Sequence, residues 1–211
     1  MRKTSFVVHL LLAVSVLLTV PAVAQDPDAQ REPWGLNIGV RVGTFELTEI
    51  DRTYEALYGS DTFTLIGLDL ELRIRSHVLV ALAWESGSID GQRVIPSIPP
   101  IQTGIKDELS LEPMHFTLGW LFRHGKPLQV HVGAGLTFLS FDNKGPNGSD
   151  SEQGNQFVVG VRRSFNRFSV GLEVRQTSVP DAVGQGGLSA IFDEDDLGGL
   201  GTHVVFRYKV R

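Results

Sequence analysis

Ile66-Gly67-Leu68-Asp69-Leu70-Glu71-Leu72-Arg73-Ile74 sets an aliphatic side chain at every second position, with glycine or an ion between. A period of two sends the two sets to opposite faces of a β-strand. One face needs oil and the other needs charge or space. Which of them points inward decides the class of protein.

Seven further stretches repeat the pattern. Leu36, Ile38, Val40 and Val42 oppose Asn37, Gly39, Arg41 and Gly43. Val78, Val80, Leu82 and Trp84 oppose Leu79, Ala81, Ala83 and Glu85. Met114, Phe116, Leu118, Trp120 and Phe122 oppose Pro113, His115, Thr117, Gly119 and Leu121. Val130 to Phe138, Phe157 to Val161, Phe168 to Arg175 and His203 to Val210 behave alike, with Gly133, Gly135, Gly160 and Gly171 among the small positions. None fits a helical period, and no helix is expected.

The connections alternate in length. Residues 46–62, 88–110, 142–156 and 178–199 are long and rich in Gly, Pro, Asp and Ser. Short turns fall near Ser76-His77, at His124 to Pro127 and at Asn166-Arg167. A two-residue turn at Asn166-Arg167 pairs Phe165 with Phe168 and Arg162 with Gly171, which keeps both apolar faces on one side.

An inward apolar face would crowd more than thirty apolar side chains into an interior that has about enough room for modest ones. It would also leave the glycines of the wet face without a purpose, since glycine weakens a strand. Reversing the orientation removes both problems. Bulky residues then lie in lipid, and Gly, Ala, Thr and paired ions fill the inside. The fold class expected is all-β, a closed antiparallel eight-stranded up-and-down transmembrane β-barrel, whose closure leaves no unpaired backbone in oil.

The ends bound the domain. Met1-Arg2-Lys3, the apolar run Phe6 to Val20 and Ala22-Val23-Ala24 have the form of a signal peptide, so residues 1–24 are expected to be removed on export. Residues 25–33 then form a periplasmic arm and 34–211 the barrel. Of the 19 Lys and Arg, two lie in the leader, leaving 17 against 24 Asp and Glu. The chain has no cysteine and no basic tract, which excludes disulfides and argues against nucleic acid as a partner.

Three runs carry a family resemblance: KPLQVHVGAGLTF from Lys126 to Phe138, FSVGLEVR from Phe168 to Arg175, and VVFRYKV from Val204 to Val210. In these the chain resembles the eight-stranded outer-membrane barrels of Gram-negative bacteria, the OmpA/OmpX/OmpW type. The resemblance implies both termini in the periplasm, four long loops outside the cell, lipid and lipopolysaccharide as surroundings, and insertion by the barrel-assembly machinery. Two features depart from it. Val210 and Arg211 stand where a terminal aromatic is usual, and no peptidoglycan-binding domain is expected after strand eight. A closed barrel has no edge that needs a partner, so a monomer is expected.

By parity the interior charge network comprises Arg41, Asp69, Glu71, Arg73, Glu85, Glu112, Arg162, Glu173, Arg175, Arg207 and Lys209, with Arg75 beside it. Ions in a narrow interior must pair, because an unpaired buried charge is strongly destabilising. Trp34, Trp84, Trp120, Phe122, Phe165, Phe168, Phe206 and Tyr208 are the expected aromatic girdle. His115 and His131 face inward, but a pairing of 115 with about 135 sets them on the order of 13 Å apart, too far for one metal. Asp193-Glu194-Asp195-Asp196 lacks the spacing of a calcium loop and reads as a solvated run. Ile95 to Ile101, with three prolines, either packs over the mouth or offers an apolar contact surface. His115-Phe116-Thr117 is the nearest echo of a lipid-hydrolase pair, and it points into the lumen.

No cofactor, metal or catalytic residue is therefore expected. The function expected is that of an integral barrel of structural or surface-interaction type, with outer loops able to take a surface ligand. The alternative is a narrow pore or a transporter for small or hydrophobic solutes, as in the OmpW-like branch. A lipid-modifying enzyme is the third reading.

Overall fold

A computed structural model describes residues 34–75, 77–95, 97, 99–122, 126–143, 148–182 and 187–210. The signal peptide and arm expected at 1–33 lie outside these residues. The elements are β1 (Trp34–Leu47), α1 (Asp51–Tyr58), β2 (Thr62–Ile74), β3 (Val78–Ile95), β4 (Ile101–Phe122), β5 (Leu128–Asn143), β6 (Gly148–Phe165), β7 (Phe168–Ser178), α2 (Gly187–Phe192) and β8 (Gly199–Lys209).

The eight strands close in sequence order, every neighbour antiparallel, with β8 returning to β1. Followed partner to partner, the register runs Trp34, Ile74, Val78, Trp120, Val132, Val159, Val174, Thr202 and re-enters β1 at Thr44, ten residues on. Ten residues at ~3.3 Å each, set against eight strands ~4.8 Å apart, tilt the strands by about 40°, the inclination of a closed barrel. At the β6–β7 turn Phe165 pairs with Phe168 and Arg162 with Gly171, as the two-residue turn requires. Asn166 takes the left-handed conformation there, with φ of 55°.

Along the lipid-facing stretch the alternation is inside out. Ile66, Leu68 and Leu70 are exposed, whereas Gly67, Asp69 and Glu71 are buried. An apolar belt of this breadth is stable only against hydrocarbon.

Towards the long-loop end the polarity reverses without any change of parity. Thr44, Glu46, Thr62, Thr64 and Ser88 point out and are exposed. Phe45, Leu47, Phe63, Leu65, Leu109, Leu111 and Leu139 point in and form an ordinary hydrophobic core. Beyond the lipid the outside of the barrel is wet, so burial of apolar surface again drives side chains inward. Glu112 falls at this level. It is exposed on the outer face, while Leu111 and Pro113 beside it are buried. It therefore does not belong to the interior network, and its phase with Met114 already placed it outward.

Two other expectations are corrected. The chain contains helices. α1 has only eight residues, too few to show a clear period, and it ends at Gly59, whose φ of 67° is the left-handed C-cap glycine provides without strain. The second and third long connections are largely strand. β3 and β4 stay paired as far as Ile95 with Ile101, and β5 and β6 as far as Asn143 with Gly148. Hairpins that project into water have no lipid face to fill, so they carry no apolar alternation.

Candidate functional site: the barrel interior and its outer cap

The inward positions of six strands converge on one buried ionic cluster. Arg41 sends Nε to Glu85 at 2.9 Å, Nη2 to Glu173 at 2.9 Å and Nη1 to Asp69 at 3.6 Å. Arg207 donates through Nε to Asp69, and through Nη2 to Glu173 at 2.6 Å and to Asp69 at 3.1 Å. Arg162 holds both oxygens of Glu71 at 2.6 Å, and its Nε donates to Gln129 at 2.9 Å. Arg175 completes the set, 3.3 Å from Glu85 and 3.9 Å from Glu173. Four guanidinium groups thus face four carboxylates, all shielded from solvent. Arg207 and Asp69 meet fork to fork through two nitrogens and two oxygens, the strong form of the ionic bond.

Histidines and amides take up the remaining positions. His203 Nε2 lies 2.8 Å from Glu85, His131 Nε2 lies 3.3 Å from Glu173, and His115 Nε2 lies 3.8 Å from Glu85. His131 lies across Gly160, where a Cβ would sit 2.2 Å from the ring, so this position needs glycine. Asn37 donates to Glu71, and Gln156 donates to Thr117.

His115 pairs with Thr137 in the register, and its Nδ1 is 2.9 Å from the Thr137 hydroxyl. His131 pairs with Leu121. The offset between the two histidines is therefore six residues rather than four, about 20 Å along the strands. Among the described residues no group of three or more His, Cys, Asp or Glu is placed to hold a metal ion.

Of the remaining candidates, Arg73 is buried and Lys209 half-buried at the short-turn end, whereas Arg75 is exposed in the β2–β3 turn. Trp34, Trp120, Phe122, Phe165, Phe168 and Tyr208 cluster at the same end, with Phe168 and Tyr208 in contact at 5.2 Å and His77 stacked on Trp120 at 5.3 Å. Two aromatics lie elsewhere. Trp84 sits between Leu68 and Met114, and Phe206 between Val40 and Val170, in the body of the lipid face.

Above the ions the lumen holds side chains that sequence reasoning assigned to loops. Tyr54 of α1 descends into the core and meets Phe63 edge-on at 6.3 Å, with Ile50 and Leu197 beside it. Burial, and after it the neighbouring Tyr58, raise the pKa of the Tyr54 hydroxyl above the ordinary tyrosine value.

Asp193 and Asp195 of the acidic run are exposed as expected, but Glu194 and Asp196 are not solvated. Glu194 accepts from the Arg52 and Thr53 amides at 3.2 Å and from the Thr53 hydroxyl, capping α1 from another loop. The Arg52 guanidinium lies 4.4 Å over the Phe192 ring. Asp196 accepts from the Val179 and Gly198 amides and the Ser178 hydroxyl. Ile95, Ile101 and Ile105 stay exposed on the β3–β4 hairpin.

No family model matches the chain, and no curated protein matches it in sequence. Solved structures match in shape. Neisserial surface protein A is 9% identical with a TM-score of 0.52, over 84% of this chain and 97% of that one. The outer membrane protein OprG of Pseudomonas aeruginosa is 11% identical with a TM-score of 0.52, over 84% and 95%. At such identities the likeness is one of fold, and in fold the chain is an eight-stranded closed β-barrel of the outer-membrane kind.

Proposed function

We propose that this chain is an outer-membrane protein that works at its outer surface, with a lumen plugged by salt bridges and no catalytic activity. The observation that carries the reading is the pairing of Arg41, Arg162, Arg175 and Arg207 with Asp69, Glu71, Glu85 and Glu173 across the lumen. A permeating ion would have to break these contacts in a space that eight strands leave narrow. The apolar core around Tyr54 forms a second barrier above it.

The fold likeness and the lipid-facing belt support location in the bacterial outer membrane, reached through cleavage of residues 1–24 and insertion by the assembly machinery as a monomer. Catalysis has little support. His115 bonds Thr137 inside the lumen, away from lipid.

A narrow conduit for small or hydrophobic solutes is the second reading, favoured only by the apolar outer half of the lumen. It requires Tyr54 and Leu197 to leave the mouth. Planar-bilayer recording of the refolded chain separates the two. A silent membrane is expected, and discrete conductance steps would sink the plugged reading.

A further inference from the structure

The lipid-facing wall formed by β7, β8, β1, β2 and β3 carries a groove of about 830 Å³, floored by Ile38, Val40, Leu68 and Leu70. We propose that this groove, with Arg167 at its low end, binds one anionic phospholipid of the leaflet on the short-turn side. The site goes beyond the surface role proposed above and rests only on the placement of this wall in lipid.

The shape of the groove follows from side-chain size along the register. Phe168, Tyr208, Ile38, Leu70 and Leu82 form one rung across the five strands, and Val170, Phe206, Val40, Leu68 and Trp84 form the next. Aromatic rings stand at the β7–β8 end and at Trp84, with shorter aliphatic side chains between them. All four floor residues are exposed, so no described side chain covers the trough. Phe168 is the first residue of β7, whereas Leu82 lies well inside β3. With strands ~4.8 Å apart and tilted by about 40°, the first rung climbs about 12 Å between them. One leaflet of the hydrocarbon core is about 15 Å deep. The groove thus leads from the aromatic girdle towards the bilayer centre, the course of an acyl chain.

The low end of the groove is cationic. Arg167 in the β6–β7 turn is exposed, and its Nη1 donates to the Tyr208 hydroxyl at 3.3 Å. The turn is pinned, because the Lys209 amide donates to the Arg167 carbonyl at 2.7 Å. Tyr208 is braced in turn against Phe168 at 5.2 Å. A guanidinium presents several N–H donors in a fixed fork, so its bond to Tyr208 leaves others for phosphate oxygens. Arg163, opposite Val170 and in phase with the same wall, is a cation as well. Asp69 and Glu71 are in phase with the lumen, where Arg207 and Arg162 hold them. No described carboxylate on this part of the wall opposes a lipid phosphate, and the sign of the charge selects an anionic headgroup over a zwitterionic one.

The test uses the full chain refolded in phosphatidylcholine vesicles that contain a minor fraction of lipid brominated midway along its acyl chains. The brominated lipid carries either a phosphatidylglycerol or a phosphatidylcholine headgroup, and bromine quenches tryptophan on contact. Of the three tryptophans, Trp34 and Trp120 are replaced by phenylalanine, which leaves Trp84 at the upper wall of the groove as reporter. Quenching is expected to give phosphatidylglycerol an association constant about fivefold above phosphatidylcholine, the worth of one cation beside an anionic lipid. Arg167→Gln is expected to bring the two constants level. Val40→Phe, which fills the floor and leaves every charge in place, is expected to do the same. An unchanged heat-modifiable gel shift verifies the fold of each variant.

Equal quenching by the two lipids, or a preference that survives Arg167→Gln, overturns the proposal and leaves the wall in lipid. A preference that survives Val40→Phe overturns the groove in favour of diffuse attraction to the basic rim. Quenching by neither lipid overturns the proposal together with the lipid placement of this wall. A barrel that conducts yet prefers phosphatidylglycerol would remove the plugged reading and leave this one standing.

Discussion

Glu173→Gln removes one charge from the centre of the ionic cluster at nearly constant volume. One carboxylate oxygen takes Arg207 at 2.6 Å and faces His131 at 3.3 Å, and the other takes Arg41 at 2.9 Å. An amide nitrogen in either place would point protons at protons. Four guanidinium groups would then face three carboxylates, with Glu173 only 2% exposed. Removing one partner of a buried ion pair costs about 3–5 kcal/mol, a large share of the roughly 5–15 kcal/mol that holds a domain folded.

With a urea slope of about 2 kcal/mol per M, the unfolding midpoint should fall by about 2 M. The assay is urea titration of the barrel in lipid vesicles, followed by tryptophan emission and the heat-modifiable gel shift. Arg207→Gln in the same chain restores the balance, so the double variant should lose less than the sum of the singles by at least about 1 kcal/mol. A midpoint shift below about 0.5 M with additive losses would refute the argument, because it would mean that the cluster is hydrated and its members independent.

Other perturbations separate the regions of the molecule. Leu70 pairs with Ile38 and Leu82 in the middle of the lipid face, and Leu70→Lys should cost about 2–4 kcal/mol in the same titration. Ile105→Lys on the projecting hairpin should stay within about 0.5 kcal/mol, and equal losses at the two sites would contradict the placement of the lipid. Glu194→Ala should cost about 1–2 kcal/mol and speed hydrogen exchange at Arg52 and Thr53 while the strands stay protected; unaltered exchange there would dismiss the cap. Burial favours the neutral form of Tyr54, so its contribution is full below the unfolded value of about 10 and is lost as pH climbs through the raised value. Ultraviolet titration should show that Tyr54→Phe removes the last phenolate step to appear, and a curve that keeps this step would count against it.

Much of the wall was legible. A period of two needs no partner to be seen, and the bulk of Ile66, Leu68, Leu70, Phe116, Leu118 and Trp120 set against glycine and ions told which face meets oil. The ion cluster was legible as a list, since charges in phase on several strands of a narrow barrel must meet. Glu112 was misassigned although its phase with Met114 is plain. Parity gives a direction, and where the lipid stops has to come from the exchange of Thr44 and Thr64 outside for Phe45 and Leu65 inside. The acidic run was opaque for another reason. The donors to Glu194 lie about 141 residues earlier in the chain, on a helix of eight residues with no side-chain cap of its own.

The alternation, the eight strands, their antiparallel order and the choice of an oily outside follow from the sequence by itself, because each rests on neighbours one or two residues apart or on the crowding of a small barrel. The partner of each arginine, the reversal of polarity above the membrane, the burial of Tyr54 and the bonding of Glu194 to α1 were decided by tertiary structure. These contacts depend on a ten-residue stagger around the barrel and on where water replaces lipid, and no local pattern encodes either.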